Sequence, residues 1–304
     1  MNTKRILRYV KRGDFTPFYA WFLAKTIWPL LHKDLSKKNA MKVMEEDWDY
    51  LIILDACRYD TFKEVVGEEV SYAISGATDT QAWMIWNFRE NYKDVIYIAG
   101  NPHFASAHLN KTLGFIPFYM IKEVWDYGWD STLKTVPPEQ VTNAAIEALK
   151  SFPEKRMIIH YNQPHHPFLG DKELTQKDDG TWHTLKGGLW GGKKTTIWRL
   201  VQQGEVPLER AKEAYKENLR IVMKEVDKLK EKLPGRVILT ADHGELFREW
   251  GLYGHGSSLR VEGLVKVPWV LLKDEEKQLM SEDTYVQKRK LQAKITKLRQ
   301  SKRL

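Results

Sequence analysis

The sequence contains almost no cysteine. Cys57 is the single one among 304 residues, so the chain can form no internal disulfide and no zinc site built from several thiolates. Disulfides persist mainly in oxidising compartments, and a chain without them fits a reducing one. On this ground we expect a cytoplasmic location.

Long apolar runs are also lacking. A helix that crosses a bilayer needs about 20 consecutive apolar residues. The closest stretch, the aromatic-rich residues 15–31, is interrupted by Lys25 and lacks the small residues of a signal-peptide cleavage site. It follows a basic start, and this arrangement predicts either peripheral contact with an anionic membrane or a helix packed on the protein's own core. The basic residues at the start are Lys4, Arg5, Arg8, Lys11 and Arg12.

Residues 1–286 carry no excess of positive charge. The net charge is +8, and residues 287–304 contain Lys and Arg but no acid, which accounts for all of it. A body that binds nucleic acid needs a basic surface, so the sequence argues against nucleic acid as a partner.

Five short apolar runs predict the buried strands of a central sheet. Helical patterns separate them: one begins at Pro137-Pro138, and another extends from about Pro207 to Leu233 and ends at Pro234-Gly235. This alternation is typical of an α/β fold, with a largely parallel central sheet and helices on both faces. The five runs are Tyr50–Ala56, Val95–Ala99, Met157–Tyr161, Val237–Thr240 and Val267–Leu272.

Composition divides the chain into three parts. We expect a basic, aromatic-rich N-terminal segment at 1–45, a catalytic domain at 46–273 and a charged, basic tail at 274–304. Within the domain, residues 169–205 combine glycines and lysines with Trp182, Trp190 and Trp198, and they show little periodicity. Because a long loop inside a compact domain is usually functional or disordered, we predict that 169–205 is a substrate cap. Its three tryptophans would offer stacking surfaces to a sugar or a lipid head group.

Two of the predicted strands lead directly into an aspartate. Asp55 ends the first, and the adjacent pair Asp242-His243 follows the fourth. Ligands of open α/β sheets bind at the carboxyl ends of strands, and such residues offer oxygen and nitrogen ligands to a divalent metal. Arg58 is interpreted in two ways, as a contact to a charged substrate or as a structural partner of Asp60.

Histidines follow in two more motifs. The third strand leads into Pro164-His165-His166-Pro167, in which two prolines rigidify the turn. His255 lies between Gly254 and Gly256, a bare setting that suits a metal ligand or a contact to an oxyanion.

These motifs resemble those of the alkaline phosphatase and sulfatase superfamily. The similar stretches are LIILDACRYD, YNQPHHPF, and ILTADHGELFREWGLYGHGSSL followed by KVPWVLL, between about residues 46 and 273. The resemblance implies the alkaline-phosphatase-like α/β fold and a metal-dependent enzyme that cleaves phosphate or sulfate esters. It does not extend to the first 45 residues or to the tail.

The nucleophile departs from the sulfatase pattern. Cys57 is followed by Arg-Tyr-Asp-Thr, not by the Cys-x-Pro-x-Arg sequence that sulfatases convert to formylglycine. The resemblance therefore implies a threonine, as in the phosphodiesterase and the phosphoethanolamine or phosphoglycerol transferase branches. Thr80 is the first choice, and Thr78 and Ser75 are the alternatives.

Carried over position by position, the resemblance implies that Asp55, Thr80, Asp242 and His243 surround one metal ion. His165 would contact the substrate together with Arg58, and His255 would ligate a second metal or contact the ester oxyanion. A nitrogen ligand favours zinc or manganese over calcium. The sequence offers no clear acidic partner for a complete second site, so one or two ions are compatible with it.

The main expectation is thus a metal-dependent hydrolase of phosphate esters that forms a covalent phosphothreonine. One alternative is a transferase that moves a phosphoethanolamine- or phosphoglycerol-type group to a surface glycan or lipid. A sulfatase-like ester hydrolase is a second alternative, and a non-enzymatic binding module of the same fold is a third. The expected partner is a phosphate ester, linked to a glycan or a lipid in the transferase case.

Overall fold

The computed structural model describes residues 34–67, 70–179, 195–255 and 259–275, together with the single residue Phe22. Most of the predicted N-terminal segment, the centre of the predicted cap with Trp182 and Trp190, and the tail from residue 276 lie outside the described residues. Where the chain is described, no helix has both the length and the apolar character needed to cross a membrane.

A seven-stranded sheet forms the centre of the molecule. Its strands are β1 (Tyr50–Asp55), β2 (Tyr72–Ile74), β3 (Tyr92–Ala99), β4 (Phe118–Lys122), β5 (Arg156–Pro164), β6 (Arg236–Ala241) and β9 (Lys266–Asp274). Their order is β2-β9-β6-β1-β5-β3-β4. Strands β6, β1, β5, β3 and β4 run parallel, whereas β9 is antiparallel to both of its neighbours. The predicted α/β fold with a largely parallel sheet is confirmed.

Nine α-helices, four short 3-10 helices and a small hairpin complete the described part. The helices are α1 (Tyr59–Val66), α2 (Thr80–Asn87), α3 (Ser106–Leu113), α4 (Val124–Tyr127), α5 (Pro138–Ser151), α6 (Lys172–Lys177), α7 (Ile197–Gln202), α8 (Leu208–Lys230) and α9 (Glu262–Val265). Strands β7 (Leu246–Phe247) and β8 (Tyr253–Gly254) pair as a separate two-stranded sheet.

Helices cover both faces of the sheet. Successive side chains of a strand point to opposite sides, so apolar residues on each face pack against the helices on that side. In β1, Ile52 and Leu54 join a core cluster that includes the buried faces of α5 and α8. Leu51 and Ile53 point the other way, into a second cluster with Trp83 of α2 and residues of α3. Both sides of a central strand are therefore buried, which explains why its sequence is a continuous apolar run.

The last residues of the predicted N-terminal segment contribute side chains to the buried core. Leu35, Ala40, Val43 and Met44 are buried, and the amide of Met41 donates to the carbonyl of Ile74 at 2.8 Å. The described part of the N-terminal segment, from residue 34, thus packs on the sheet domain. Its apolar side chains give it a place in the core that composition alone did not predict.

Candidate metal centre

The order of the strands brings the two aspartates together. Strands β1 and β6 are parallel neighbours, with Leu54 opposite Ala241. Asp55 ends β1 and Asp242 follows directly after β6, so their side chains reach the same edge of the sheet. Both carboxyl groups are buried.

Four side chains converge at this edge. The Thr80 hydroxyl donates to Asp242 Oδ2 at 2.7 Å and lies 3.2 Å from His243 Nε2. His243 Nε2 is 3.4 Å from Asp242 Oδ2 and 3.8 Å from Asp55 Oδ1. Asp55, Asp242 and His243 are close enough to hold one ion between them. The structure thus assembles the four residues that the resemblance grouped around a metal.

The donor set fits a divalent cation. Asp55 Oδ1 is buried and has no hydrogen-bond partner within the described part of the chain, whereas Asp55 Oδ2 accepts from Asn101 Nδ2 at 2.5 Å. His243 Nδ1 lies 2.8 Å from the carbonyl oxygen of Gly244. If Nδ1 carries the proton, Nε2 presents its lone pair toward the carboxylates, which is the tautomer that binds metals.

The electrostatics of the two aspartates also call for a positive charge. Burial, and next to it the charge of Asp242, raises the pKa of Asp55. Burial alone would raise the pKa of Asp242 as well. The charges of His243 and His160, together with hydrogen bonds from the Ala56 amide and the Thr80 hydroxyl, outweigh burial and lower that pKa. Two buried carboxylates this close repel each other when both are ionised, and a cation between them removes the penalty.

Thr80 is the best-placed hydroxyl of the three alternatives. It is the first residue of α2, whose N-cap Asp79 accepts a hydrogen bond from the amide of Ala82. The hydroxyl of Ser75 instead donates to the backbone carbonyl of Asp242 at 2.5 Å and accepts from the amide of Ala77. Ser75 therefore has a structural role in this conformation. Thr78 is buried, but it makes none of the contacts that link Thr80 to Asp242 and His243.

A glycine makes the turn after Asp242 possible. The turn carrying Asp242, His243 and Glu245 passes so close to α9 that a Cβ on Gly244 would lie 2.1 Å from the carbonyl oxygen of Gly263. Gly244 also donates its amide to the carbonyl of Leu264 at 2.8 Å. Its residue type is required by this close approach of two backbones.

A second group of potential ligands lies beside the first. His165, Glu245 and His255 bring three ligand atoms within 4.8 Å of one another. His255 Nδ1 is 2.8 Å from Glu245 Oε1, and Glu245 Oε2 is buried without a hydrogen-bond partner among the described residues. The rings of His243 and His255 have centroids 4.5 Å apart. His255 therefore lies between the two groups and belongs by ligand distance to the second.

The charge of His255 depends on Glu245. Burial alone would lower the pKa of His255, but the charge and the hydrogen bond of Glu245 outweigh it and raise that pKa to about 9. Without a metal the imidazole is a cation at neutral pH. It can then contact a phosphoryl oxygen, whereas metal binding would require its neutral form.

Asn218 of α8 stabilises the turn that contains His165 and His166. The side-chain amide of Asn218 donates to the carbonyls of Pro164, His165 and Pro167 at 2.9–3.2 Å, and its oxygen accepts from the amide of Leu169 at 2.9 Å. Both prolines of the turn follow cis peptide bonds. This hydrogen bonding directs the turn toward the second group.

His166 contacts a buried acid. Its Nδ1 lies 2.6 Å from Asp178 Oδ2, and both side chains are buried, although the contact lacks hydrogen-bond geometry. Asp178 Oδ2 also accepts from the amide of Ile197 at 3.3 Å. The pair thus connects the histidine turn with both described ends of the predicted cap.

Arg58 matches the structural interpretation. Its guanidinium donates to Asp60 at 2.5 and 2.8 Å, to Glu249 at 2.6 Å and to the backbone carbonyl of Glu245 at 2.6 Å. It also lies over the ring of Phe247, 4.4 Å from the centroid. With its donors engaged in this way, Arg58 fixes the hairpin that leads from Glu245 to His255.

The structure corrects the prediction for Trp198. This side chain is 4% exposed and packs between Phe168 and Phe247, with ring centroids 6.1 and 5.1 Å away. Trp198 is therefore a core residue and offers no stacking surface to a substrate. The apolar side of α7 explains this, since Ile197, Leu200 and Val201 are buried beside it.

Sequence reasoning missed three polar residues in and around the site. Asn101 follows β3 and donates to Asp55, and the strand-end argument that identified Asp55 and Asp242 would have identified it too. Glu245 lies in the same motif as Asp242 and His243, but the sequence predicted no role for it. Only the fold brings it to His165, which is 80 positions earlier in the chain. Asp178, the partner of His166, gave no comparable signal in the sequence.

Neither a protein-family model nor a curated protein sequence matches the chain. Solved structures do. The soluble domain of lipooligosaccharide phosphoethanolamine transferase A from Neisseria meningitidis is 12% identical, with 72% of this chain and 74% of that chain covered and a TM-score of 0.47. The match spans 46% of the integral membrane form of that enzyme.

Two further structures are similar at this level. A zinc complex of the C-terminal periplasmic domain of EptC from Escherichia coli is 10% identical over 77% of this chain and 76% of that chain, with a TM-score of 0.43. A protein in the alkaline phosphatase superfamily from Vibrio parahaemolyticus is 11% identical over 74% and 60%, with a TM-score of 0.40. Sulfatases are similar as well.

All these structures belong to the sulfatase-like alkaline phosphatase superfamily. None of the comparisons supports the cytoplasmic location expected from the single cysteine.

Proposed function

We propose that the chain is a metal-dependent enzyme that cleaves phosphate esters through a covalent phosphothreonine on Thr80. The observation that carries this proposal is the position of the Thr80 hydroxyl. It lies 2.7 Å from Asp242 Oδ2 and 3.2 Å from His243 Nε2, beside an Asp55 oxygen that has no partner among the described residues. A hydroxyl among potential metal ligands at a helix start suits nucleophilic catalysis.

Asp55, Asp242 and His243 would hold the ion together with Thr80. Zinc or manganese fits this mixture of carboxylate oxygens and imidazole nitrogen better than calcium. A bound divalent ion lowers the pKa of a hydroxyl and polarises a phosphoryl oxygen. His165, Glu245 and His255 would take a second ion when His255 is neutral, so metal analysis should find one or two ions per chain.

The remaining chemistry belongs to the side chains. Asp242 Oδ2 accepts the hydrogen bond of Thr80 and is placed to take its proton. The Thr80 oxygen then forms a bond to phosphorus, and the bond to the leaving ester oxygen breaks in line with it. Protonated His255 neutralises charge on the phosphoryl oxygens and gives the leaving oxygen its proton. In the second step the oxygen of water or of an acceptor hydroxyl forms a bond to phosphorus and gives its proton to His255. The bond between phosphorus and the Thr80 oxygen breaks, and Asp242 returns the proton to Thr80.

A hydrolase and a transferase share this first step. They differ in the molecule that accepts the phospho-group in the second step, which is water in a hydrolase and a hydroxyl group in a transferase. We propose hydrolysis as the main activity and transfer of a phospho-group to a glycan or lipid hydroxyl as the alternative. A sulfatase mechanism finds less support, because Cys57 is buried and its thiol lies 3.9 Å from the carbonyl oxygen of Arg58, in a backbone contact.

A substrate screen tests the proposal. Purified protein would be assayed with aryl phosphomonoesters, phosphodiesters and sulfate esters in the presence of Zn, Mn, Mg or Ca, alongside metal analysis of the protein as isolated. We expect phosphate ester turnover with Zn or Mn and none with sulfate esters. An added alcohol acceptor that captures the phospho-group in preference to water would assign a transferase. Turnover of sulfate esters alone would refute the proposal.

The N-terminal segment supplies a separate hypothesis. The five basic residues at its start and the aromatic run at 15–31 suit the interface of an anionic membrane. We propose that the enzyme is peripherally bound there and acts on a lipid- or glycan-linked phosphate ester. Salt-sensitive flotation with anionic liposomes tests this, and flotation that is equal with neutral liposomes would contradict it.

A further inference from the structure

Three cations surround one half-buried indole on the surface of the sheet domain. Trp86 lies in the last turn of α2, and its ring centroid is 5.6 Å from Lys37 Nζ, 5.8 Å from Lys42 Nζ and 5.7 Å from the guanidinium carbon of Arg89. Each such contact is favourable on its own, because the face of the ring attracts a cation. Three positive charges around one ring nevertheless repel one another.

The ring itself is held rigidly. Trp86 donates its indole N–H to the carbonyl of Met41 at 2.8 Å. Gly76 leaves room for it, since a Cβ there would lie 2.2 Å from the indole Cδ1. The cations therefore gather around a fixed aromatic platform that joins α2 to the start of the described chain.

The positive charge of this surface is mostly uncompensated. Lys42 pairs with Glu45 at 3.2 Å, but in the described ranges neither Lys37 nor Arg89 makes an ion pair. Lys38 is a further exposed cation next to Lys37. Ile85 adds an apolar side chain that is 42% exposed. We call this group (Lys37, Lys38, Lys42, Ile85, Trp86 and Arg89) the Trp86 patch.

We propose that the Trp86 patch contacts the surface of an anionic lipid membrane. Tryptophan flanked by lysine and arginine is the composition of protein surfaces at the membrane–water boundary. The exposed isoleucine suits shallow insertion, and the cations suit anionic head groups. In sequence, the patch also follows closely on the basic, aromatic residues that precede residue 34.

This contact is independent of phosphoryl transfer. Thr80 begins α2 and Trp86 lies in its last turn, so the helix that carries the proposed nucleophile would also contact the membrane. The proposal extends the membrane hypothesis from the N-terminal segment to the sheet domain. Its test therefore has to report on the patch itself and requires no turnover.

A fluorescent label at the patch provides that test. Cys57 is buried, so an Ile85→Cys variant of the full chain offers one accessible thiol for an environment-sensitive dye. Tyr127→Cys, at a residue that is 63% exposed, is the control position. With phosphatidylcholine vesicles that contain phosphatidylglycerol, we expect a blue shift and an intensity gain at position 85 and no change at position 127. Pure phosphatidylcholine should give neither.

A charge variant completes the experiment. Lys37→Ser with Arg89→Ser should weaken vesicle binding by about fivefold for each cation removed. Lys93→Ser with Lys155→Ser removes the same charge elsewhere and should have little effect. If the protein binds vesicles but the dye at position 85 shows no fluorescence change, the proposal is wrong. It is also wrong if both double variants lose vesicle binding to the same extent. If the dye at position 85 responds to a nucleic acid oligomer and not to vesicles, the partner of the patch is a polyanion other than a membrane.

Discussion

At the scale of single residues, Thr80 provides the sharpest prediction. Thr80→Ala removes the proposed nucleophile and should lower kcat by at least about a thousandfold, because no covalent intermediate can form. Thr80→Ser keeps an oxygen at the same position and should retain measurable turnover. Mass spectrometry of quenched wild-type protein should locate phosphate on Thr80.

Two variants serve as controls for this prediction. Thr78→Ala and Cys57→Ser should stay within a few-fold of the wild-type rate, since neither side chain contacts Asp242 through a hydrogen bond. Phosphate mapped to Thr78 or Ser75 would move the nucleophile. Complete loss of activity in folded Cys57→Ser would restore a thiol mechanism.

Asp55 provides a second prediction, in which metal binding and stability change in opposite directions. Asp55→Asn keeps an oxygen that can accept from Asn101 but removes a charged ligand, so affinity for Zn or Mn should fall by more than the roughly 10–100-fold typical of outer-sphere changes. Metal-free protein should become more stable. Because burial and Asp242 raise the folded-state pKa of Asp55, its ionised form at neutral pH opposes folding, and the amide removes that penalty.

The measurement is thermal unfolding with and without metal. In EDTA the variant should gain on the order of 1 kcal/mol, or roughly 2–4 °C in Tm for a domain of this size, whereas added zinc should stabilise the wild type more. Asp227→Asn, which alters an exposed pair with Lys230, is the control and should change neither quantity. An Asp55→Asn variant with unchanged zinc affinity would show that the ion binds elsewhere.

At the scale of elements, α8 positions the histidine turn through one side chain. Asn218→Asp has the same shape, but its carboxylate would face the three carbonyl oxygens to which Asn218 now donates. Buried acceptors then lose their donors, and the free energy of unfolding should fall by roughly 2 kcal/mol or more. Activity should fall with it, because the orientation of His165 depends on this turn.

Urea unfolding and steady-state kinetics check this prediction. Glu213→Gln, at an exposed position of the same helix, should leave both unchanged. If Asn218→Asp is as stable and active as the wild type, the turn is held by its own backbone and α8 is only a neighbour.

Prediction from sequence succeeded for elements whose pattern is local. The central strands β1 and β5 are buried on both faces, so their apolar runs were visible. The helical pattern from about Pro207 to Leu233 likewise predicted α8. Strand β2 has three residues and is defined by its pairing with β9. Strand β4 lies at the sheet edge with partly exposed side chains. Neither carries a sequence pattern of its own.

At the scale of the whole molecule, the candidate site was also predictable only where its residues belong to a local sequence pattern. Asp55 and Asp242 were predictable because each ends a strand, and the parallel order of β1 and β6 brings them together. The group of His165, Glu245 and His255 depends on three separate segments meeting, which no single window of sequence contains. Trp198 was misassigned for the reverse reason, since its glycine-rich neighbours concealed a short helix with a buried side.

The last prediction concerns the predicted cap, whose described ends lie side by side. The amide of Asp179 donates to the carbonyl of Thr195 at 2.9 Å, and the amide of Thr195 donates to Asp179 Oδ2 at 2.8 Å. A short glycine linker can therefore replace residues 180–194 without moving α6 or α7. The shortened protein should keep its Tm, its metal content and its rate on small aryl phosphate esters, because Thr80, Asp55, Asp242 and His243 lie outside the deletion. It should lose turnover of a lipid- or glycan-linked phosphate ester, for which Trp182, Trp190 and the lysines of the segment would provide contacts. Equal loss on both substrate classes, in a protein that is still folded and metal-loaded, would show that residues 180–194 serve the chemistry itself and not substrate selection.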